Sequence, residues 1–248
     1  MFGRQKVATL VAEFLGTGIL TLLILSVQRS TIGVPFFVAA AAGLTLTLMA
    51  LVFGGVSGSH LNPAVTLSMW TVRKISAVTG LLYIIMQFLG AWAAYGLYHY
   101  YVKTSFQPIG GHFTGRILVA EAVGTGILLT GIAAALYQGY NRAVTASVYG
   151  LALMLGIIAA STASIGLLNP AVALGVRAFV PFGSGVTGWG TYVLGPILGG
   201  IIGMNLYSLV FAAPEAVVAS SSVAASKTVT ATKKAPAKRS TKKASRKK

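Results

Sequence analysis

The chain has 248 residues, of which 55% are hydrophobic and only 9% charged, with a mean hydropathy of +0.80. Soluble domains carry about 25% charged residues, and the three acids of this chain cannot clothe a soluble surface. The absence of cysteine excludes disulfides and thiolate metal sites. The net charge of +16 is unevenly placed, with ten of the nineteen Lys and Arg between Lys227 and Lys248.

Residues 1–6 are short and basic, with Arg4 and Lys6. An apolar run from Val7 to Val27, broken only by Glu13, is long enough to cross about 30 Å of hydrocarbon. A secretory signal is the competing reading, but the run is long for one and further spans follow, so it is read as the first span. Arg29 closes it. A second span covers about Val34 to Phe53, followed by the Gly-rich break Gly54-Gly55-Val56-Ser57-Gly58. The stretch Leu61 to about Val72 is too short to span and ends at Arg73-Lys74, so it is read as a half-helix that enters the membrane and returns. The third span is about Gly80 to Tyr98, its end rich in Trp92, Tyr95, Tyr98, Tyr100 and Tyr101, residues that favour the membrane interface.

A polar linker, residues 102–116, separates residues 1–101 from a second set of spans in residues 117–211. These are about Ile117 to Tyr137, Val144 to Ala163 and Gly188 to Phe211, with a second break and half-helix from Leu168 to about Val180. Residues 212–248 shift to Ala, Ser, Thr, Lys and Pro, too poor in apolar residues to fold alone. They are read as a disordered basic cytoplasmic tail that touches anionic lipid rather than as a nucleic-acid-binding arm.

The two halves are copies. Ala12-Glu13-x-x-Gly16-Thr17-Gly18-Ile19-Leu20 returns as Ala120-Glu121-x-x-Gly124-Thr125-Gly126-Ile127-Leu128, and Leu61-Asn62-Pro63-Ala64-Val65 returns as Leu168-Asn169-Pro170-Ala171-Val172. Asn-Pro alone signals a helix start, because Asn is a good N-cap and Pro suits the first helical position. Duplicated in apolar chain without nearby charge, it points instead to paired broken helices around a path at the membrane midplane. Each half holds three full spans, an odd number, so the second half starts on the opposite side and the repeat is inverted. Non-helical backbone survives at that depth only inside protein or along a water-filled cavity. Lys and Arg placement sets both termini in the cytoplasm: Arg4, Lys6, Arg73, Lys74, Arg142 and the tail fall on one side, against Arg29, Lys103, Arg116 and Arg177 on the other.

Glu13 and Glu121 are the acids inside spans. They serve either as a proton relay or as braces for the orphan backbone donors of the re-entrant loops, and their recurrence favours bracing. His60 is read as a hydrogen-bonded loop residue rather than a pH gate. Asn62 and Asn169 can offer side-chain N–H donors to a passing oxygen. Pro63 and Pro170 fix the helix starts, and Ala64 and Ala171 allow close approach.

Ser57-Gly58-Ser59-His60-Leu61-Asn62-Pro63-Ala64-Val65-Thr66-Leu67, the second Asn-Pro-Ala, and Ala-Glu-x-x-Gly-Thr near each half's start together resemble the aquaporin (major intrinsic protein) family over residues 7–211. The resemblance implies an all-α membrane fold of six transmembrane helices plus two re-entrant half-helices. It also implies a tetramer with one pore per subunit, and passive conduction of water and small uncharged solutes. It agrees with the bracing role of the two acids. Most members carry Arg directly after the second Asn-Pro-Ala, where this chain has Val172. Gapless counting gives Ala42, Ile157 and Gly166 as the other filter positions, and some plant tonoplast intrinsic proteins look similar there. Such a filter is expected to be wider and less polar and to admit glycerol, urea or ammonia. No cofactor, metal or enzymatic chemistry is expected. The rival readings are a secondary transporter, which also uses inverted repeats, and a structural membrane protein with a closed pore.

Overall fold

The computed structural model describes residues 3–29, 35–103, 113–178 and 187–212. The basic tail and the middle of the linker lie outside the described residues. Among those described, the elements are α1 (Arg4–Arg29), α2 (Pro35–Ser57), α3 (Pro63–Thr71), α4 (Ala77–Val102), α5 (Gly115–Tyr137), α6 (Arg142–Ala160), α7 (Pro170–Gly175), a short turn α8 (Thr187–Trp189), a π-helical turn (Gly190–Leu194) and α9 (Gly195–Val210). Six stretches are long and apolar enough to cross a membrane, and α3 and α7 are the two short helices between them.

Where helices start in polar chain they are capped by side chains. Ser76, Thr114 and Asn141 accept from the backbone N–H of Thr79, Ile117 and Val144 at 3.0–3.2 Å. The second span is longer than the sequence suggested. Gly54 and Gly55 belong to α2, and the break begins at Gly58, whose N–H closes on the Gly54 carbonyl at 3.1 Å. Two helical glycines cost only about 1 kcal/mol each, so packing overrides the breaker signal. The second half-helix is shorter than the expected Leu168–Val180. It stops at Gly175 because Arg177 takes a left-handed conformation (φ 56°) and Ala178 N–H reaches back to the Ala173 carbonyl at 2.8 Å. Arg73 (φ 59°) and the Lys74 N–H to the Met69 carbonyl (2.9 Å) end α3 the same way. Both short helices therefore finish on a basic residue, which suits the negative end of a helix. The last span carries a π turn that composition did not reveal. It lies just before Pro196, whose ring nitrogen cannot donate to the preceding turn.

The packing repeats as the sequence does. In the first half α1 lies along α4, and in the second α5 lies along α9. Helices α2 and α6 cross between the halves, α3 packs on α9 and α7 on α4, so each short helix rests on the last span of the other half. The crossing of α2 and α6 is close because Gly43 and Gly150, equivalent positions, face each other. A Cβ on Gly43 would stand 2.7 Å from the Gly150 carbonyl oxygen, and one on Gly150 would overlap the Gly43 carbonyl and the Thr47 hydroxyl. Such small-residue crossings suit membranes, where packing rather than the hydrophobic effect joins helices.

Substituting Gly43→Leu is expected to lower stability by about 3 kcal/mol, the upper range for overpacking a tight contact. Thermal unfolding of the purified protein in detergent, followed by circular dichroism, checks this, and an unchanged midpoint would contradict the close crossing.

Candidate functional site

The centre of the molecule is built from two loops that have no helix to satisfy them. In the first, Ser59 (φ 52°) and Leu61 (φ 50°) occupy the left-handed backbone region, and in the second Gly166 (φ 64°) and Leu168 (φ 53°) do. A leucine there is strained by about 1–3 kcal/mol and persists only where its surroundings overdetermine it. The surroundings are carboxylates. Glu13, fully buried on α1, accepts from the Leu61 N–H (2.7 Å), the His60 N–H (3.0 Å), the Ser57 hydroxyl (2.6 Å) and the Gln87 amide (2.8 Å). Glu121, its equivalent on α5, accepts from the Leu168 N–H (2.7 Å), the Leu167 N–H (3.1 Å) and the Ser164 hydroxyl. A carboxylate offers about four lone-pair sites, so the first is saturated and the second nearly so.

The left-handed leucines turn their carbonyls across the junction. Leu61 O accepts from Asn169 Nδ2 and Leu168 O from Asn62 Nδ2, each at 2.8 Å. The other face of each amide caps its own helix. Asn62 Oδ1 accepts from Ala64 N–H at 2.8 Å, and Asn169 Oδ1 from Ala171 and Val172 N–H at 3.0 and 3.3 Å. The plain helix-cap reading of Asn-Pro and the paired-motif reading thus hold together in one side chain. An Asn amide has two donor hydrogens. One is spent across the junction, and the other finds no acceptor among the described residues. The starts of α3 and α7 meet here, and each helix start carries partial positive charge, about half a unit for a long helix.

A narrow cavity of about 10 Å³, near the minimum for one water, passes these amides. Its polar lining is Asn62, Asn169 and His60, and its apolar walls include Leu20, Leu128, Leu46 and Leu153. Of the four expected filter positions, Ala42, Ile157 and Val172 line this cavity. Gly166 is not part of the lining; it lies against α6, where a Cβ would stand 2.7 Å from the Ile157 carbonyl oxygen. His60 Nδ1 lies 3.1 Å from the Thr66 hydroxyl, its ring meets Tyr83 edge-on at 5.4 Å, and the residue also lines the cavity. Arg177 lies over the Tyr95 ring at 5.9 Å and is not among the lining residues.

Several bracing residues escaped the sequence reading. Ser57 and Ser164 recur at the same offset as the motifs, and each hydroxyl also takes a loop N–H, from Ser59 at 3.1 Å and Gly166 at 3.2 Å. Tyr83 donates its hydroxyl to the Ser57 carbonyl at 3.1 Å. Gln87 has no counterpart in the second half, where Gly195-Pro196 stands. It gives its amide hydrogens to Glu13 and Thr66 and leaves its own oxygen buried without a partner among the described residues.

The family described as Major intrinsic protein matches residues 4–207. Among similar curated proteins, a glycerol uptake facilitator protein-like 6 from Lactiplantibacillus plantarum is 33% identical over 204 residues, covering 77% of this chain and 93% of the relative. Aquaporin Z from Photorhabdus laumondii is 30% identical over 230 residues, covering 83% and 98%. Among solved structures, the aquaglyceroporin from Plasmodium falciparum superposes with a TM-score of 0.70 over 83% of this chain and 96% of that one, at 24% identity, which speaks to fold alone.

Replacing Glu121 by Gln exchanges one carboxylate oxygen for a donor that confronts the loop N–H groups. A buried N–H left unpaired costs about 1–3 kcal/mol, and the left-handed Leu168 loses its anchor. The variant is expected to melt earlier and to lose most solute flux, measured by circular dichroism and by light scattering of reconstituted vesicles. Full flux at wild-type stability would show that the carboxylate is not needed to hold the loop.

Proposed function

The chain belongs to the major intrinsic protein family, and on that premise we propose how this member chooses its solutes. It is an integral multi-pass membrane protein and a passive channel for water and small solutes such as glycerol. The observation that carries the finer reading is the composition of the cavity wall. Two Asn amides and Val172 line the cavity, and the resemblance to the family puts a cation at the place of Val172 in most members.

Asn62 and Asn169 each present one remaining N–H to an oxygen passing between them. A water or alcohol oxygen that accepts both bonds turns its own hydrogens away along the path. That orientation interrupts a chain of donors and acceptors, and the converging positive helix starts repel cations, hydronium included. Ions and protons are therefore excluded without a charged side chain in the path. The leucine walls offer passing solutes no competing hydrogen bonds.

Ala42, Ile157, Gly166 and Val172 form the selectivity filter at the outer end, Gly166 by letting the loop lie flat against α6. Without a cation, imidazole or aromatic ring, this filter admits glycerol, urea and ammonia beside water. Resemblance to the family supports a homotetramer with a pore in each subunit. The basic residues near the N-terminus, at Arg73-Lys74 and in the tail support a cytoplasmic location for both termini, with the tail held near anionic lipid. No cofactor enters this function, and Glu13 and Glu121 hold loops rather than carry protons. Glu13 accepts four hydrogen bonds and Glu121 three, all from loop groups or from Gln87, which favours bracing over an ion-coupled transporter.

Val172→Arg tests the filter. Val172 is fully buried, so an added guanidinium fills the outer end and must find acceptors there. Glycerol and urea permeability are expected to fall about tenfold relative to water, the lower end of the discrimination that a tight site achieves against a solute too large for it. Stopped-flow light scattering on proteoliposomes measures both. If the wild type passes water but nothing larger, and the variant behaves identically, Val172 does not stand at the constriction.

A further inference from the structure

The cavity wall obeys the internal symmetry only in part. On α2 the lining residues Ala42 and Leu46 are four apart, and on α6 the lining residues Leu153 and Ile157 are four apart. Residues at this spacing stack on one helix face. Continuing each stripe by one turn gives Ala50 on α2 and Tyr149 on α6. The offset of 107 that relates the loops makes Leu46 equivalent to Leu153, Ala42 to Tyr149 and Ala50 to Ile157. Val172 corresponds to Val65, and Gly166 to Ser59. The outer set Ala42, Ile157, Gly166 and Val172 thus has a mirror set at the end nearest the start of α6: Tyr149, Ala50, Ser59 and Val65.

Tyr149 is the one large side chain of that mirror set. It is only 7% exposed, and its hydroxyl bonds to no described residue. Buried tyrosine hydroxyls nearly always find a partner. This hydroxyl also escapes the set of polar atoms sealed from water, which includes Thr17 Oγ1 and Gln87 Oε1. Its free partner is therefore whatever occupies the space before it. The cavity reaches Leu153 on α6, one helical turn from Tyr149.

We propose that Tyr149, with Ala50, Ser59 and Val65, forms a second, inner selectivity ring, and that the Tyr149 hydroxyl is its hydrogen-bonding station for passing water and alcohols. The proposal rests on the cavity being the conducting path. The outer filter of this chain lacks a ring, and the internal symmetry places the aromatic constraint at the other end. Size selection against solutes larger than water is then made at the inner ring, and the outer filter is permissive.

The test uses the full chain in proteoliposomes, with water and glycerol permeability read by stopped-flow light scattering and normalised to the amount of folded protein. Tyr149→Phe keeps the ring and removes the hydroxyl. Water permeability is expected to fall about threefold, the scale of losing one neutral hydrogen bond at a barrier. Tyr149→Ala opens the ring, and the ratio of glycerol to water permeability is expected to rise severalfold. Both permeabilities unchanged in the two variants would overturn the assignment. Should Tyr149→Ala fail to fold, Tyr149→Phe decides alone, because it preserves the packing. A wild type that conducts neither solute would instead remove the conducting-path reading on which the ring depends, a result distinct from variants that match a conducting wild type.

Discussion

The hydrogen bonds from the Leu61 and Leu168 N–H groups to buried carboxylates, each 2.7 Å, hold together everything else at the centre. Each leucine sits in a backbone region that its side chain disfavours. Held there, it turns its carbonyl toward the opposite half, where an Asn amide takes it. The carboxylate strains the loop, the strain aims the carbonyl, and the carbonyl fixes the Asn that faces the cavity. Each half thus completes the other's functional residue, and neither loop is finished alone. This explains how a membrane protein keeps irregular backbone at mid-depth without leaving its polar groups unpaired.

Departures from internal symmetry carry the functional asymmetry. Glu13 receives Gln87 as a fourth donor, and Glu121 has no such partner among the described residues. The first loop also has His60 on the cavity where the second has Leu167. Val172, fully buried, puts methyl groups on the cavity wall. Among the described residues the cavity wall carries two Asn amides and His60 as its polar groups and no charged side chain. Arg73 and Arg177 close the two short helices, and Arg142 bonds the Leu51 and Val52 carbonyls at the end of α2.

Much of this was legible in the residues. The six spans follow from apolar length, and the paired Asn-Pro-Ala stands out because a cap is a local signal and its duplication is visible. Glu13 and Glu121 could be read as braces because they recur beside the same glycine pattern. Other features depend on what two distant segments do to each other. Gly54-Gly55 reads as a break, yet packing keeps it helical. Gln87 and Tyr83 look like ordinary residues of a span, and only the fold brings them to Glu13 and Ser57. Gapless counting brought Ala42, Ile157 and Val172 to one cavity because α2, α6 and the second loop keep their helical phase. Gly166, without a side chain to project, fell behind Ile157. The small volume of the cavity has no local signature, since its wall is assembled from α1, α2, α5, α6 and both loops.

The central claim is that solutes cross passively through this cavity. The most direct measurement is the temperature and concentration dependence of water and glycerol permeability in vesicles holding the purified full chain. The account predicts that both solutes cross with a shallow temperature dependence close to that of diffusion in water, and that glycerol flux rises in proportion to its gradient. A steep temperature dependence with glycerol flux that saturates would mean a carrier that changes conformation at each turnover, and would contradict it.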